Sequence, residues 1–405
     1  MNKLPNGWTE YKLKDIMSIS SKRYNPNKDT KNYKCIELEH IESETGILNG
    51  HTNSKDIHSV KNVFEKGEVL YGKLRPYLKK FYLAKFDGVC SSEIWVLKGK
   101  KVINDFLYYF IQQDNFNYIA NVSIGMIMPR ADWSYMSEIS FNIPPLDEQK
   151  RIASALSKID AYLENTIKLI EEKERFKRGI AKKLLTCKEG ENIPEARFKG
   201  FEDEWKEYNL SKIGVSYNGL RNKKANSFVE NCNAKYITYK SVYDKNKIDI
   251  NRLGNVFIGK NENQNLVKYG DIFFTISSET PDEVAISSVL LDEVENTYLN
   301  SFCFGFRFDF NILLPEFARY YFRSDYIRKS TYRLAQGITR YNISKKKFLD
   351  IIIYLPSLEE QEKIGGYLSL LDEEIDNLKK QKELIKEMKR GAMQKLLSGE
   401  VRLLE

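Results

Sequence analysis

Histidine is scarce in this 405-residue chain, which has only His40, His51 and His58, and its five cysteines, Cys35, Cys90, Cys187, Cys232 and Cys303, are scattered without a CxxC pair. A zinc site needs imidazoles or thiolates at short, regular spacing, and a disulfide frame needs cysteines at higher density, so neither is expected. The chain contains no GxGxxG and no GxxxxGK[ST], which removes the usual cradles for dinucleotides and nucleotide phosphates. FNIPPL at 141–146 approaches the N/D-P-P-aromatic motif of amino-methylating enzymes, but Ile143 replaces its polar residue and Leu146 its aromatic one. The related YLPSL precedes a second helix, so helix punctuation is the better reading. Pro281-Asp282-Glu283 lacks the following Glu-x-Lys of a nuclease-like acidic pair and reads as a turn. No apolar run approaches the roughly 18 to 20 residues of a membrane span. The opening MNKLPNGWTEYKLKDI holds no apolar signal core. These absences lead to the expectation of a cytoplasmic chain without a catalytic centre, a metal or a membrane anchor.

What is present suffices for folded bodies. Hydrophobic residues make up 42% and aromatics 13% of the chain, which excludes global disorder, and 405 residues exceed one ordinary core, so two to three domains are expected. With 64 Lys and Arg against 56 Asp and Glu the net charge is +8, a bias that permits nucleic-acid binding without requiring it.

The chain repeats itself. Residues 144–186, PPLDEQKRIASALSKIDAYLENTIKLIEEKERFKRGIAKKLLT, lie over 356–398, PSLEEQEKIGGYLSLLDEEIDNLKKQKELIKEMKRGAMQKLLS, without a gap and with 17 of 43 positions identical. Chance would give about two or three. WTEYKLKDI at 8–16 likewise matches WKEYNLSKI at 205–213. The offset between copies is 197 at the Trp motif, 203 where Gly67 meets Gly270, and 212 at the long repeats, so the second copy carries 15 extra residues. That insertion, and most of the divergence, falls in the stretches between the repeated segments. One part is held fixed while another varies, as in a neutral duplication whose loops drifted or in two bodies that recognise different things on a common frame.

The fixed part reads as two long helices. Ile152, Leu156, Ile159, Leu163, Ile167, Ile170, Ile180 and Leu184 recur in steps of about three and four, as do Ile364, Leu368, Leu371, Ile375, Leu378, Ile385, Met388, Ala392 and Leu396. Sustained with charges between, this is a coiled-coil seam. Prolines precede both helices, acidic residues occupy their first turns and lysines their last, as the helix dipole favours. An antiparallel pair is expected, because a parallel one would force the short connector to return along a helix of about 60 Å. Gly179 and Gly391 recur within KRG near the helix ends, where an interior glycine costs about 1 kcal/mol. They suggest a close backbone approach or a partner contact.

The variable stretches contain short β-rich runs, such as GEVLYGKL and EIWVLKG in the first and GDIFFTISS and SFCFGFRFDF in the second, each followed by a helical segment. The expected fold class is α+β: two mostly-β recognition domains joined by two long antiparallel coiled-coil helices, an internal tandem duplication with pseudo-twofold symmetry. Two loop clusters mix cations with Tyr, Asn and Ser, a combination suited to phosphates and base edges. GKLRPYLKK carries Lys73, Arg75, Tyr77, Lys79 and Lys80, and QGITRYNISKKK carries Arg340, Tyr341, Asn342, Lys345 and Lys346. Arg130, Ser277 and Ser278 complete the candidate DNA-binding set.

Taken together, the paired helix starts PPLDEQKRI and PSLEEQEKI, the paired KRG…KLL ends, the connector IPEARFKGFEDEWKEYNLSKIG and the segment GEVLYGKLRPYLKK followed by FDGVCSSEIWVL make the chain similar to the specificity subunits of type I restriction-modification systems, over essentially its whole length. The resemblance implies target recognition domains at 1–143 and 205–355, a central conserved helix at 144–186, a connector at 187–204 and a distal conserved helix at 356–405. It implies a non-catalytic subunit that binds double-stranded DNA, each domain reading half of an interrupted, asymmetric sequence. The helices would set the spacer and dock two methyltransferase subunits, with two restriction-translocase subunits as optional additions. S-adenosylmethionine, and ATP with Mg²⁺, would be bound by those partners and no cofactor by this chain. The repeated helix motifs nominate Gln149, Arg151, Arg178, Gly179, Gln361, Lys363, Arg390 and Gly391 for the docking surfaces. A departure from the repeat is visible as well: TISSETPDEVA stands in the second copy where GKLRPYLKKFYLA stands in the first, so the basic loop is not copied and Arg75 has no counterpart. The alternative is a stand-alone coiled-coil DNA-binding regulator without enzymatic partners.

Overall fold

The computed structural model describes residues 5–122, 128–188, 190–229 and 232–403. The chain divides into two compact units, Met1–Ile167 with Lys380–Glu405, and Lys168–Lys379, so the division falls inside the two long helices.

In the first unit the buried apolar runs VLYG and IWVL become the central strands of a four-stranded antiparallel sheet, in the order Met17–Ile19, Ile94–Gly99, Val69–Gly72, Phe81–Leu83. A run that is apolar on successive residues must be covered on both faces. One face meets a five-stranded mixed sheet in which Lys34–Ile36 runs parallel to Gly88–Cys90, and the other meets the helix Asn104–Phe110. Thr9–Lys12 pairs with Ser140–Ile143 just before the first long helix, Leu146–Leu185, begins.

The second unit repeats this plan. Gly214–Asn218, Cys303–Phe308, Ile272–Thr275 and Ser287–Val289 form the four-stranded sheet, and Ala234–Ile237 runs parallel to Thr297–Leu299 in a three-stranded one. Lys206–Asn209 pairs with Ile352–Leu355 ahead of the second long helix, Leu358–Ser398. Pro315–Tyr321 takes the place of Asn104–Phe110.

Each body packs on both helices. The core of the first contains Ile152 and Leu156 from the start of the first helix with Met393, Leu396 and Leu397 from the end of the second. The core of the second contains Leu184 and Leu185 with Ile364, Leu368 and Leu371. Within each unit the helices run antiparallel, because contact numbers rise on one as they fall on the other: Asp160 meets Lys389 and Tyr162 meets Gln381 in the first, Lys173 meets Glu374 and Lys177 meets Asp372 in the second.

Two expectations are corrected. Met388 is 51% exposed and off the seam, whereas Lys389 beside it is 6% exposed. Past Ile385 the buried positions step to Lys389 and Met393, because Lys389 finds a carboxylate there that makes its burial tolerable. A Cβ on Gly179 or Gly391 would meet nothing within 4 Å, so neither marks a close backbone approach inside this chain. The close approach is at Gly365, where a Cβ would lie 3.0 Å from the Phe317 backbone nitrogen.

Candidate nucleic-acid interface and helix surfaces

The chain leaves the buried strand Val69–Gly72 into the segment carrying the first cation cluster. Arg75 and Lys79 both adopt left-handed backbone conformations, with φ of 51° and 46°, and bracket a single 3-10 turn at Pro76–Leu78. Non-glycine residues pay for that conformation, and such strain gathers where a turn is held for a purpose. The rest of the structure holds this one: Leu74 bridges Arg130, the Arg75 N–H donates to the Pro129 carbonyl at 2.8 Å, and the Ala131 N–H to the Lys73 carbonyl at 2.9 Å. Pro76 is buried, and Tyr77 is turned outward, 54% exposed.

The side chains then sort themselves. Arg130 makes a two-pronged pair with Glu93 at 3.0 and 3.1 Å, which holds the Glu93 carboxyl below its ordinary value. Lys80 donates to the Leu38 carbonyl at 2.7 Å, and Lys79 lies between Glu44 and Asp114 at 3.7 and 3.6 Å. Lys73 is half-buried beside Glu93. Of the candidate residues in this body, Lys73, Arg75 and Tyr77 keep side chains without a hydrogen bond or ion pair among the described residues, and of these Arg75 and Tyr77 are exposed.

The second body builds the same platform from different residues. Ser277 pairs with Asn342 and Ser278 with Tyr341 across a two-strand ladder. By the repeat offsets of 203 and 212, Ser277 corresponds to Leu74 and Asn342 to Arg130, so this is the Leu74–Arg130 bridge made a second time. The structure thus brings Ser277, Ser278, Arg340, Tyr341 and Asn342 together. Both serines are largely buried, and the Ser278 hydroxyl donates to Glu283 at 2.8 Å. The Tyr243 hydroxyl donates to the same carboxylate. These hydroxyls hold the Glu283 carboxyl below its ordinary value, and the carboxylate in turn pushes the Tyr243 phenol up to about 12. Arg340 is exposed, its guanidinium 6.0 Å from the centre of the Phe302 ring. Lys345 hydrogen-bonds Asn218, while Lys346 is exposed.

Sequence reasoning missed the struts behind this platform. Arg328 donates to the carbonyls of Val284 and Ala285 at 2.7 and 2.8 Å. Arg323 donates to those of Ser287, Val242, Tyr243 and Lys245 at 2.6 to 3.0 Å, and burial pulls it down to about 10. No local pattern announces them, since an arginine on a short helix, as Arg328 is, or in the turn before it, as Arg323 is, reads as solvated.

Two candidates for partner contact are corrected. Gln149 and Gln361 are 1% and 0% exposed, and each is consumed inside the chain. Gln149 accepts from the Ile103 N–H at 3.0 Å and donates to the carbonyls of Lys101 and Pro144 at 3.1 and 2.9 Å. Gln361 accepts from the Leu314 N–H at 2.8 Å and donates to Ile312 and Pro356 at 2.8 and 3.0 Å. Each glutamine therefore rivets a helix start to the loop of its own body. The preceding acids are buried too: Glu148 accepts from Trp8 at 3.0 Å and from Arg402 at 2.5 and 2.7 Å, and Glu360 accepts from Arg197 at 2.9 and 2.7 Å. Of the remaining candidates, Arg151 is half-buried, and Lys363, Arg178, Gly179 and Arg390 lie open on the helix surfaces, with Gly391 partly so. Among the described residues no group of three or more His, Cys, Asp or Glu could hold a metal ion, and no helix is long and apolar enough to cross a membrane.

Known proteins resemble this chain in sequence and in fold. The model of a family described as the type I restriction modification DNA specificity domain matches residues 5–172 and again 202–387. The type I restriction enzyme MjaVIII specificity subunit of Methanocaldococcus jannaschii is 28% identical over 367 residues, covering 87% of this chain and 80% of that protein. The EcoDI specificity subunit of Escherichia coli is 30% identical over 170 residues, 41% of this chain and 38% of that protein. A structure solved in work on complex assembly and conformational transition of the type I R-M system aligns with a TM-score of 0.62 and 19% identity over 99% of this chain and 100% of that one. The S subunit from M. genitalium aligns at 0.55 and 17%, covering 98% and 97%. At those identities the structural likeness is one of fold.

Proposed function

The chain belongs to the type I restriction-modification DNA specificity family, and from that premise we propose how this specificity subunit divides its work. Each body reads one half of an interrupted, asymmetric DNA target through the major groove, using the loops joined at the Leu74–Arg130 and Ser277–Asn342 bridges. The observation that carries this reading is the repetition of one backbone platform with unlike side chains. A platform that keeps its hydrogen bonds while exchanging its donors and acceptors is what independent half-site readers need. In the first body Arg75 offers an uncommitted planar fork, the geometry that matches guanine O6 and N7. In the second, Asn342 is exposed and suited to adenine N6 and N7, with Arg340 beside it.

The reading assigns no chemistry to this chain. Adenine methylation would be performed by two methyltransferase subunits docked on the helices, which bind S-adenosylmethionine, and cleavage by optional restriction-translocase subunits, which bind ATP and Mg²⁺. Arg178, Arg390, Lys363, the open Gly179 and the partly open Gly391 are helix positions left free for such docking. Co-expression with a methyltransferase subunit, followed by mapping of modified adenines, tests the reading. An interrupted motif that appears only with this chain present is the expected result. Methylation by the purified chain alone, or one continuous motif, would overturn it.

A further inference from the structure

A charged cluster occurs in each unit where the long helices meet, and the two clusters are one design built twice. In the first, Lys389 of the second helix pairs with Asp160 of the first at 2.7 Å, and the Tyr109 hydroxyl donates to the same carboxylate at 2.9 Å. Lys389 also donates to Gln112 at 3.1 Å and sits 5.6 Å from the centre of the Tyr109 ring. In the second, Lys177 of the first helix pairs with Asp372 of the second, the Tyr320 hydroxyl donates to that carboxylate at 2.7 Å, and Arg319 donates at 3.2 Å. Asp160 and Lys177 lie 212 residues before Asp372 and Lys389, so each repeat supplies the acid to one cluster and the base to the other.

The apolar seam alone cannot fix where one helix stops along the other. Its leucines and isoleucines recur every heptad, so a slip of seven residues would face similar side chains again. The clusters are not degenerate in this way: a heptad slip moves the ammonium about 10 Å along the axis and leaves charges with little exposure unpaired, which is strongly unfavourable. Single buried polar positions that set register are the best-attested use of such groups. Each tyrosine comes from the helix of a recognition body, Asn104–Phe110 or Pro315–Tyr321, so the cluster ties the body to both long helices. Gln149 and Gln361 rivet the helix starts to their bodies, and within each unit the cluster adds a polar tie between the two helices at one fixed stagger.

We propose that the two Lys–Asp–Tyr clusters are register pins that select a single stagger of the long helices and, granting the half-site reading above, thereby select the spacer. The test uses the full chain with Cys187→Ser and Cys232→Ser and spin labels at exposed Ala161 and Glu387. The second pin is removed by Lys177→Met with Asp372→Leu, and folding is verified by circular dichroism. With the first pin intact, one distance is expected. Adding Lys389→Asp should produce a second distance population, and adding Asp160→Lys as well should restore the single one. A folded Lys389→Asp chain that keeps one distance, or a swap that fails to restore it, would overturn the pin. If the background chain does not fold, the same cycle with the second pin native decides through the width of the distribution. Mapped adenines supply the separate arm: a heptad slip should add or remove about three base pairs of spacer, at 3.4 Å each. An altered distance with an unaltered motif would sever the pin from the spacer while leaving the pin itself standing.

Discussion

The two bodies put their free cations on opposite sides of the same backbone bridge. In the first, Arg75 projects from the strand side that follows Val69–Gly72, and the partner side offers Met128, Pro129 and an Arg130 already neutralised by Glu93. In the second, the side that follows Ile272–Thr275 carries Ser277, Ser278 and Glu283, and the cations Arg340 and Lys346 stand on the partner side. Backbone hydrogen bonds hold both platforms, so side chains are free to change sign without dismantling the loop. On the proposed reading, affinity for phosphate can then be supplied from either strand, and the set offered to base edges differs between bodies. This explains why a net charge of only +8 is compatible with DNA reading. The charge is local, and in each body much of it is cancelled by an internal partner.

The bodies also differ in how they bury the acid of the helix start, and stability is most sensitive there. Glu148 has two donors, Trp8 and Arg402, whereas Glu360 has Arg197, and the Trp205 indole nitrogen has no hydrogen-bond partner among the described residues. Removing one member of a buried pair costs about 3 to 5 kcal/mol because the other charge stays behind. Arg197→Ala should therefore destabilise toward the upper end of that range and Arg402→Ala toward the lower, read from urea unfolding followed at each body. Equal losses would mean that the Trp8 hydrogen bond contributes nothing to the asymmetry.

What the sequence made legible, and what it concealed, follows the same physics. Helix starts and ends could be read because apolar period, proline and terminal charge all act locally: Leu146–Leu185 and Leu358–Ser398 lie inside the spans the repeats indicated. Lys389 was hidden because a lysine beside a methionine is assigned to solvent, and only its meeting with Asp160, more than two hundred residues away, reverses that. Gln149 and Gln361 misled for the opposite reason, since a polar residue repeated on two helices suggests a shared partner, while the partner is the body's own loop. The two loop clusters proposed to face DNA were selected by composition. Their equivalence was not visible there, because Leu74 and Ser277, or Arg130 and Asn342, share no residue type, and the bridge joining them is made of backbone.

Arg75→Ala should weaken recognition of one half-site, and Arg340→Ala the other, each by about 1 to 3 kcal/mol if the guanidinium bonds a base. Binding to targets scrambled in one half at a time separates the two. A loss that is equal for all sequences and shrinks as salt rises would make either residue a phosphate contact instead.

The smallest effect concerns acid. Glu283 and Glu93 each support a loop only as carboxylates, and both are held below the ordinary carboxylate value near 4.5, the first by the hydroxyls of Tyr243 and Ser278, the second by Arg130. A group whose folded value is depressed contributes above its unfolded value and loses that contribution as pH falls through the folded one. Both platforms should therefore be indifferent to pH from neutrality down to about 5 and loosen only below the ordinary carboxylate range. Amide exchange at Ser278 reads the second loop and at Arg75 the first. Glu283→Gln should abolish the acid response at Ser278 and leave that at Arg75 intact, because the two platforms share their backbone plan and none of the side chains that hold it. A response lost at both amides would instead couple the loops.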